Sequence, residues 1–118
     1  MTRDVPQPPR LDLSAAPRDG GRTRLKVVGE IDLSTVGEFS TAVREQLAHG
    51  SVLLDMSETA FMDSTGVRAL DALLQDGERD GRTLTIGADM HRNVRHVLEL
   101  TGMLDVVAVT DRPAGGAG

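Results

Sequence analysis

The sequence predicts an α/β fold: a single domain on a mostly parallel mixed β-sheet, with an antiparallel N-terminal edge strand and helices packed on the sheet. Three observations carry this expectation. From Arg22 onward, apolar runs of strand length alternate with stretches of helical period, the pattern of right-handed crossovers in a largely parallel sheet. Val52-Leu53-Leu54 shows no polar–apolar alternation, which suits a strand covered on both faces. Pro17 and Asp19-Gly20-Gly21 mark a turn between the first two strand-like segments, so a hairpin would make the first an antiparallel edge.

Taken in order, residues 1–10 carry Pro6, Pro8 and Pro9 with no apolar period and read as a flexible tail. The domain then spans residues 11–110. Leu11 to Ala16 is a short strand, and Arg22 to Ile31 is the first long one, with Leu25, Val27 and Val28 apolar. A helix follows, with Val36, Phe39, Val43 and Leu47 on one face and Gly50 as a stop. Thr35 and Glu38 have the spacing of a reciprocal capping box. The strand Val52 to Met56, a short loop and a second helix through Val67, Leu70, Leu73 and Leu74 come next, closing at Gly77 or Gly81. Arg82 to Ala88 reads as a strand. Asp89 is a candidate cap for a third helix, with Val94, Val97, Leu98 and Met103 inward and Gly102 near its end. Leu104 to Val109 is the last strand, and residues 111–118 form a Gly/Ala tail with nothing to bury. No internal repeat is visible.

Composition narrows the function. The chain has 118 residues, enough for one domain with a modest core. That core is aliphatic, because Phe39 and Phe61 are the only aromatics. Their scarcity opposes base stacking on nucleic acid, and a net charge of −5 opposes binding to a phosphate backbone. There is no cysteine, hence no disulfide framework, thiolate nucleophile or cysteine metal site. No stretch resembles a signal peptide or a membrane span. A soluble, cytoplasmic protein is expected, with no membrane or nucleic-acid partner.

The most informative stretch is Ser51 to Leu74, and within it the turn Phe61-Met62-Asp63-Ser64-Thr65-Gly66. A strand end feeding a helix start is where open α/β folds set their working groups. Asp63 or Ser64 as a plain helix cap is the bland reading, worth about 1 kcal/mol. Against it, the turn spends two bulky apolar residues where a connector would be polar. It also sets two hydroxyls at a helix N-terminus, a position suited to a phosphate.

DMSETAFMDSTGVRAL resembles the signature of the STAS domain, and specifically of the bacterial anti-sigma-factor antagonists; VVGEIDLST is similar to the G-E-x-D turn that precedes the first helix in that family. The likeness covers residues 22–110. It implies a non-enzymatic switch without cofactor or metal. The unphosphorylated protein would bind an anti-sigma factor that is also a serine-protein kinase, and so release a sigma factor. The kinase would phosphorylate the hydroxyl residue following the Asp of the turn, Ser64, with Thr65 as second choice, and a serine phosphatase would reset the switch. The implied partner face comprises Asp32, Leu33, Ser34, Phe61, Met62, Asp63, Ser64 and Thr65, with Arg68 one turn on and able to reach a phosphate. A monomer is expected when unbound. Val67, where Leu is the commoner residue, and an arginine-rich second helix depart from the family pattern and bear on partner choice.

Rival readings have specific weaknesses. Asp55 ends its strand like the phosphoacceptor of a response-regulator receiver, but the only lysine is Lys26, so the late lysine of a receiver is missing; Asp55 reads as a strand terminus bracing the loop. A hydrolase with Ser64 as nucleophile and His49, His91 or His96 as base has no G-x-S-x-G elbow. His91 and His96 are spaced poorly for two metal ligands on one helix face. Gly29 and Gly66 sit in no G-x-x-x-x-G-K phosphate loop. The nearest rival keeps the fold: a STAS subunit of a lipid-transport ATPase or stress-signalling complex that binds without phosphorylation.

Overall fold

In the computed structural model, which describes residues 10–17 and 22–110, the elements run β1 (Leu11–Pro17), β2 (Thr23–Ile31), α1 (Val36–Leu47), β3 (Val52–Asp55), β4 (Thr59–Met62), α2 (Ser64–Arg79), β5 (Leu84–Gly87), α3 (Arg92–Leu100), a 3-10 turn (Met103–Asp105) and β6 (Ala108–Thr110). The Asp19-Gly20-Gly21 turn and the segments read as tails, apart from Arg10, lie outside the described residues. Strand order in the sheet is β1-β2-β3-β5-β6. β1 pairs antiparallel with β2 (Leu11 opposite Gly29, Pro17 opposite Thr23), and every other pairing is parallel. The mixed α/β sheet with an antiparallel N-terminal edge is therefore as expected.

β2 organises the domain. Leu25, Val27 and Ile31 turn into the core, while Arg24 and Lys26 alternate to the other side, where they pair with Asp55 (3.6 Å) and Glu58 (2.6 Å). Period-two alternation on a half-covered sheet produces this division. Onto the apolar side pack Phe39, Val43 and Leu47 of α1, Val67, Leu70 and Leu73 of α2, and Val94 and Leu98 of α3. All four residues of β3 are buried, in accord with its unbroken apolar run.

Four local expectations need correction. The loop after β3 contains a strand: β4 pairs with the far end of β2, Glu30 opposite Phe61 and Ile31 opposite Met62, after an irregularity at Gly29/Glu30. Thr35 is the N-cap of α1 but makes no capping-box bond. Its hydroxyl instead donates to the Glu30 carbonyl (2.7 Å) and accepts from the Asp32 N–H (3.0 Å), so it clamps the preceding turn. α3 starts later than expected, with His91 and not Asp89 at its N-cap. Residues 103–105 coil into the 3-10 turn, carrying buried Met103 off the helix and shortening the last strand to Ala108–Thr110.

Candidate functional site

Two turns meet at the C-terminal ends of β2 and β4. Because β4 lies against the end of β2, the residues following each strand are neighbours, and the Asp63 N–H donates to the Ile31 carbonyl (3.3 Å). Gly29 lets β2 change partner from β3 to β4. Its φ of +121° is closed to most side chains, and a Cβ there would sit 2.1 Å from the Arg10 carbonyl oxygen. Gly66 has a different reason to be small. A Cβ on it would lie 2.8 Å from Met62 Cγ and 2.9 Å from Ile31 Cγ2. Only a bare backbone brings the start of α2 this close to both strand ends.

Asp63 caps α2, its Oδ1 accepting from the N–H groups of Thr65 (2.9 Å) and Gly66 (3.4 Å). The bland reading of the turn thus belongs to Asp63. Ser64 is left as the first helical residue, exposed, and its hydroxyl makes no hydrogen bond among the described residues. Thr65 is half-buried. Strand alternation in β4 separates the two bulky residues: Phe61 is 42% exposed, whereas Met62 is 1% exposed and belongs to the core. Met62 accordingly drops out of the expected partner face. It packs beneath Gly66 and fixes the turn from inside.

The β2–α1 turn adds Asp32, Leu33 and Ser34. Leu33 is 79% exposed, a bulky apolar side chain held out beside the serine turn. Asp32 folds its own turn: Oδ1 accepts from the Ser34 N–H (2.9 Å) and hydroxyl (2.7 Å). Arg10, just before β1, reaches across to Asp32, Ser34 and Glu30, the last at 2.8 Å. The Ser34 hydroxyl first, and then the Ser34 N–H and the Arg10 guanidinium, hold the Asp32 carboxyl below the usual range against partial desolvation. Arg10 was invisible to sequence reasoning. It follows two prolines, has no periodic neighbours, and acts on residues 20 and 22 positions away.

Asp55 bonds the Ser57 N–H (3.1 Å) and hydroxyl (2.7 Å), bracing the turn into β4 as expected of a strand terminus. Arg68 is exposed and makes no ion pair among the described residues. His91 and His96 are exposed on and before α3, His49 follows α1, and no hydrogen bond among the described residues joins any of them to Ser64. Among those residues, no group of three His, Asp or Glu side chains could hold a metal ion, and no helix is long and apolar enough to cross a membrane.

A family model for the STAS domain matches residues 14–114. The chain belongs to the STAS family. Solved structures with this fold include an anti-sigma factor antagonist from Mycobacterium paratuberculosis, at 22% identity and a TM-score of 0.72 over 86% of each chain. The anti-sigma factor antagonist SpoIIAA in its unphosphorylated form matches at 16% identity and a TM-score of 0.69, over 84% of this chain and 88% of that one. The phosphorylated form of SpoIIAA, a Bacillus cell fate determinant, matches at 15% identity and 0.63, over 84% and 91%. At these identities the likeness is one of fold.

Proposed function

We propose that the protein is an anti-sigma-factor antagonist: a binding module that engages an anti-sigma factor with serine-kinase activity and is released when Ser64 is phosphorylated. The observation that carries this reading is the exposed Ser64 hydroxyl, without a hydrogen bond among the described residues, on adjoining turns that also project the apolar side chains of Phe61 and Leu33. STAS membership and the fold shared with anti-sigma factor antagonists, SpoIIAA among them in a phosphorylated form, support it.

The switch follows from burial and charge. A partner packed over Leu33, Phe61 and Ser64 gains apolar contact while the serine is neutral. A phosphate there adds about −1.5 to −2 charge, next to the Asp63 carboxylate. Burying that charge unpaired is costly. A hundredfold loss of affinity requires only about 2.7 kcal/mol. A phosphatase then restores the neutral hydroxyl. Thr65 is the weaker acceptor because it is half-buried, whereas Ser64 is exposed.

The test is peptide mass spectrometry of the protein after incubation with ATP and each anti-sigma kinase encoded in the same genome. One phosphate on Ser64, absent in Ser64→Ala, is expected, together with a complex that forms only with the unmodified protein. A stable complex that no kinase dissolves would instead favour a STAS subunit of a larger assembly.

A further inference from the structure

The opposite end of the sheet carries a cavity of about 590 Å³ where the parallel strands begin. The register aligns Thr23 with Val52 and Val52 with Leu84, so the residues just before them, Arg22, Ser51 and Thr83, come side by side. Arg82 and His49 join from the loops that end α2 and α1, and Thr85 and Leu53 lie further in. The composition of this lining is unlike that of the rest of the molecule. The chain has 18 acidic residues against 13 Lys and Arg, yet the described lining holds two arginines and a histidine and no acid. Neither arginine makes a side-chain hydrogen bond or ion pair among the described residues, although most of the described basic side chains on the sheet and on α1 and α2 do. Ser51 Oγ accepts the Thr83 N–H (3.0 Å), which orients the hydroxyl and leaves its proton free to donate.

We infer that this cavity binds a small phosphate-bearing anion, held by the Arg22 and Arg82 guanidinium groups and the Ser51 and Thr83 hydroxyls. Guanidinium forks match phosphate oxygens two at a time. The volume lies within the ordinary range for small-ligand sites, roughly 300–1,000 Å³. No Phe, Tyr or Trp is among the described lining residues, and its arginines and hydroxyls suit phosphate oxygens, so the phosphate is the group the site is built to recognise. Lying at the strands' N-terminal ends, the cavity is separate from the Ser64 turn, and the inference stands independently of the proposed switch.

The experiment is a titration of the full chain with inorganic pyrophosphate at fixed ionic strength, read by backbone amide shifts. Inorganic phosphate and ADP serve as parallel probes. Saturable shifts are expected at Ser51 and at residues 81–83, with ADP binding no tighter than pyrophosphate. Arg22→Gln/Arg82→Gln should weaken pyrophosphate by at least about tenfold, as loss of two charged donors requires, while Ser64→Ala and Arg68→Gln bind as the parent does. If the double variant is not folded by circular dichroism, Arg22→Gln and Arg82→Gln singly must each weaken binding. Shifts that do not saturate, shifts centred on residues 63–66, or unchanged affinity in folded variants would overturn the assignment. So would ADP binding more than about tenfold tighter than pyrophosphate, because the nucleoside would then be the recognised group.

Discussion

Gly66 shows how little room the serine turn has. Alanine would be a good residue for the first turn of a helix by propensity, but here its methyl would overlap Met62 and Ile31. Overpacking of this kind costs typically about 1–3 kcal/mol. Gly66→Ala is therefore expected to lower the urea midpoint and to displace the amide resonances of residues 63–66; a variant as stable as the parent would show that the close approach is not needed. Asp32 makes a pH-dependent contribution through its turn. Its folded pKa lies below the usual carboxylate value, so its contribution to stability is present above that value and is lost as pH falls through the lower, folded one. Asp32→Asn should be less stable than the parent at neutral pH, and the difference should vanish in acid. In an NMR titration, Ser34→Ala and Arg10→Ala should each move the Asp32 carboxyl back upward. An Asp32 that titrates in the ordinary range in the parent would contradict the hydrogen-bonded turn.

At the scale of elements, what was legible followed from repetition, and what was missed followed from single contacts. β2, β3 and the three helices carry enough apolar residues in register for period to reveal them, and Asp63 stood directly before a helical run. β4 has only the four residues Thr59–Met62, too few to show alternation, and its pairing depends on the irregularity at Gly29/Glu30 in a distant strand. Hence the sequence offered Phe61 and Met62 as one exposed pair, whereas the strand turns them to opposite sides. The Thr35 cap failed for a related reason: spacing permits a capping box, but the Asp32 N–H takes the hydroxyl oxygen as its acceptor, and the Glu30 carbonyl fixes the hydroxyl proton. β4 is held from below by Thr59, fully buried, whose Oγ1 donates to the Val27 carbonyl at 2.7 Å. Thr59→Val keeps the shape and removes that bond, at a cost of about 1–3 kcal/mol for the carbonyl left behind. Urea unfolding should register the loss, and hydrogen exchange should speed most in residues 59–62. Uniform exchange across the sheet would mean that β4 is not anchored through Thr59.

For the molecule as a whole, the question is whether the proposed phosphorylation of Ser64 would act by unfolding the domain or only by blocking a surface. Modification would take the net charge from −5 to about −7, adding to self-repulsion in an already acidic protein. The local setting counters this. Ser64 is the first residue of α2, where a negative charge gains about 0.3–1 kcal/mol from the helix N-terminus. Its side chain is exposed, so the phosphate keeps its water, while Met62 and Gly66 of the same turn are buried. Attraction and repulsion are of opposite sign. The stability of the phosphorylated protein should therefore differ from that of the unmodified protein by no more than about 1 kcal/mol, while partner affinity falls by about a hundredfold. Urea unfolding of the two forms, alongside their binding to the cognate anti-sigma factor, measures both quantities on one sample. A phosphorylated domain destabilised by several kcal/mol would mean that release works through loss of the fold, and the exposed Leu33–Phe61 surface would then not be the element that reads the phosphate.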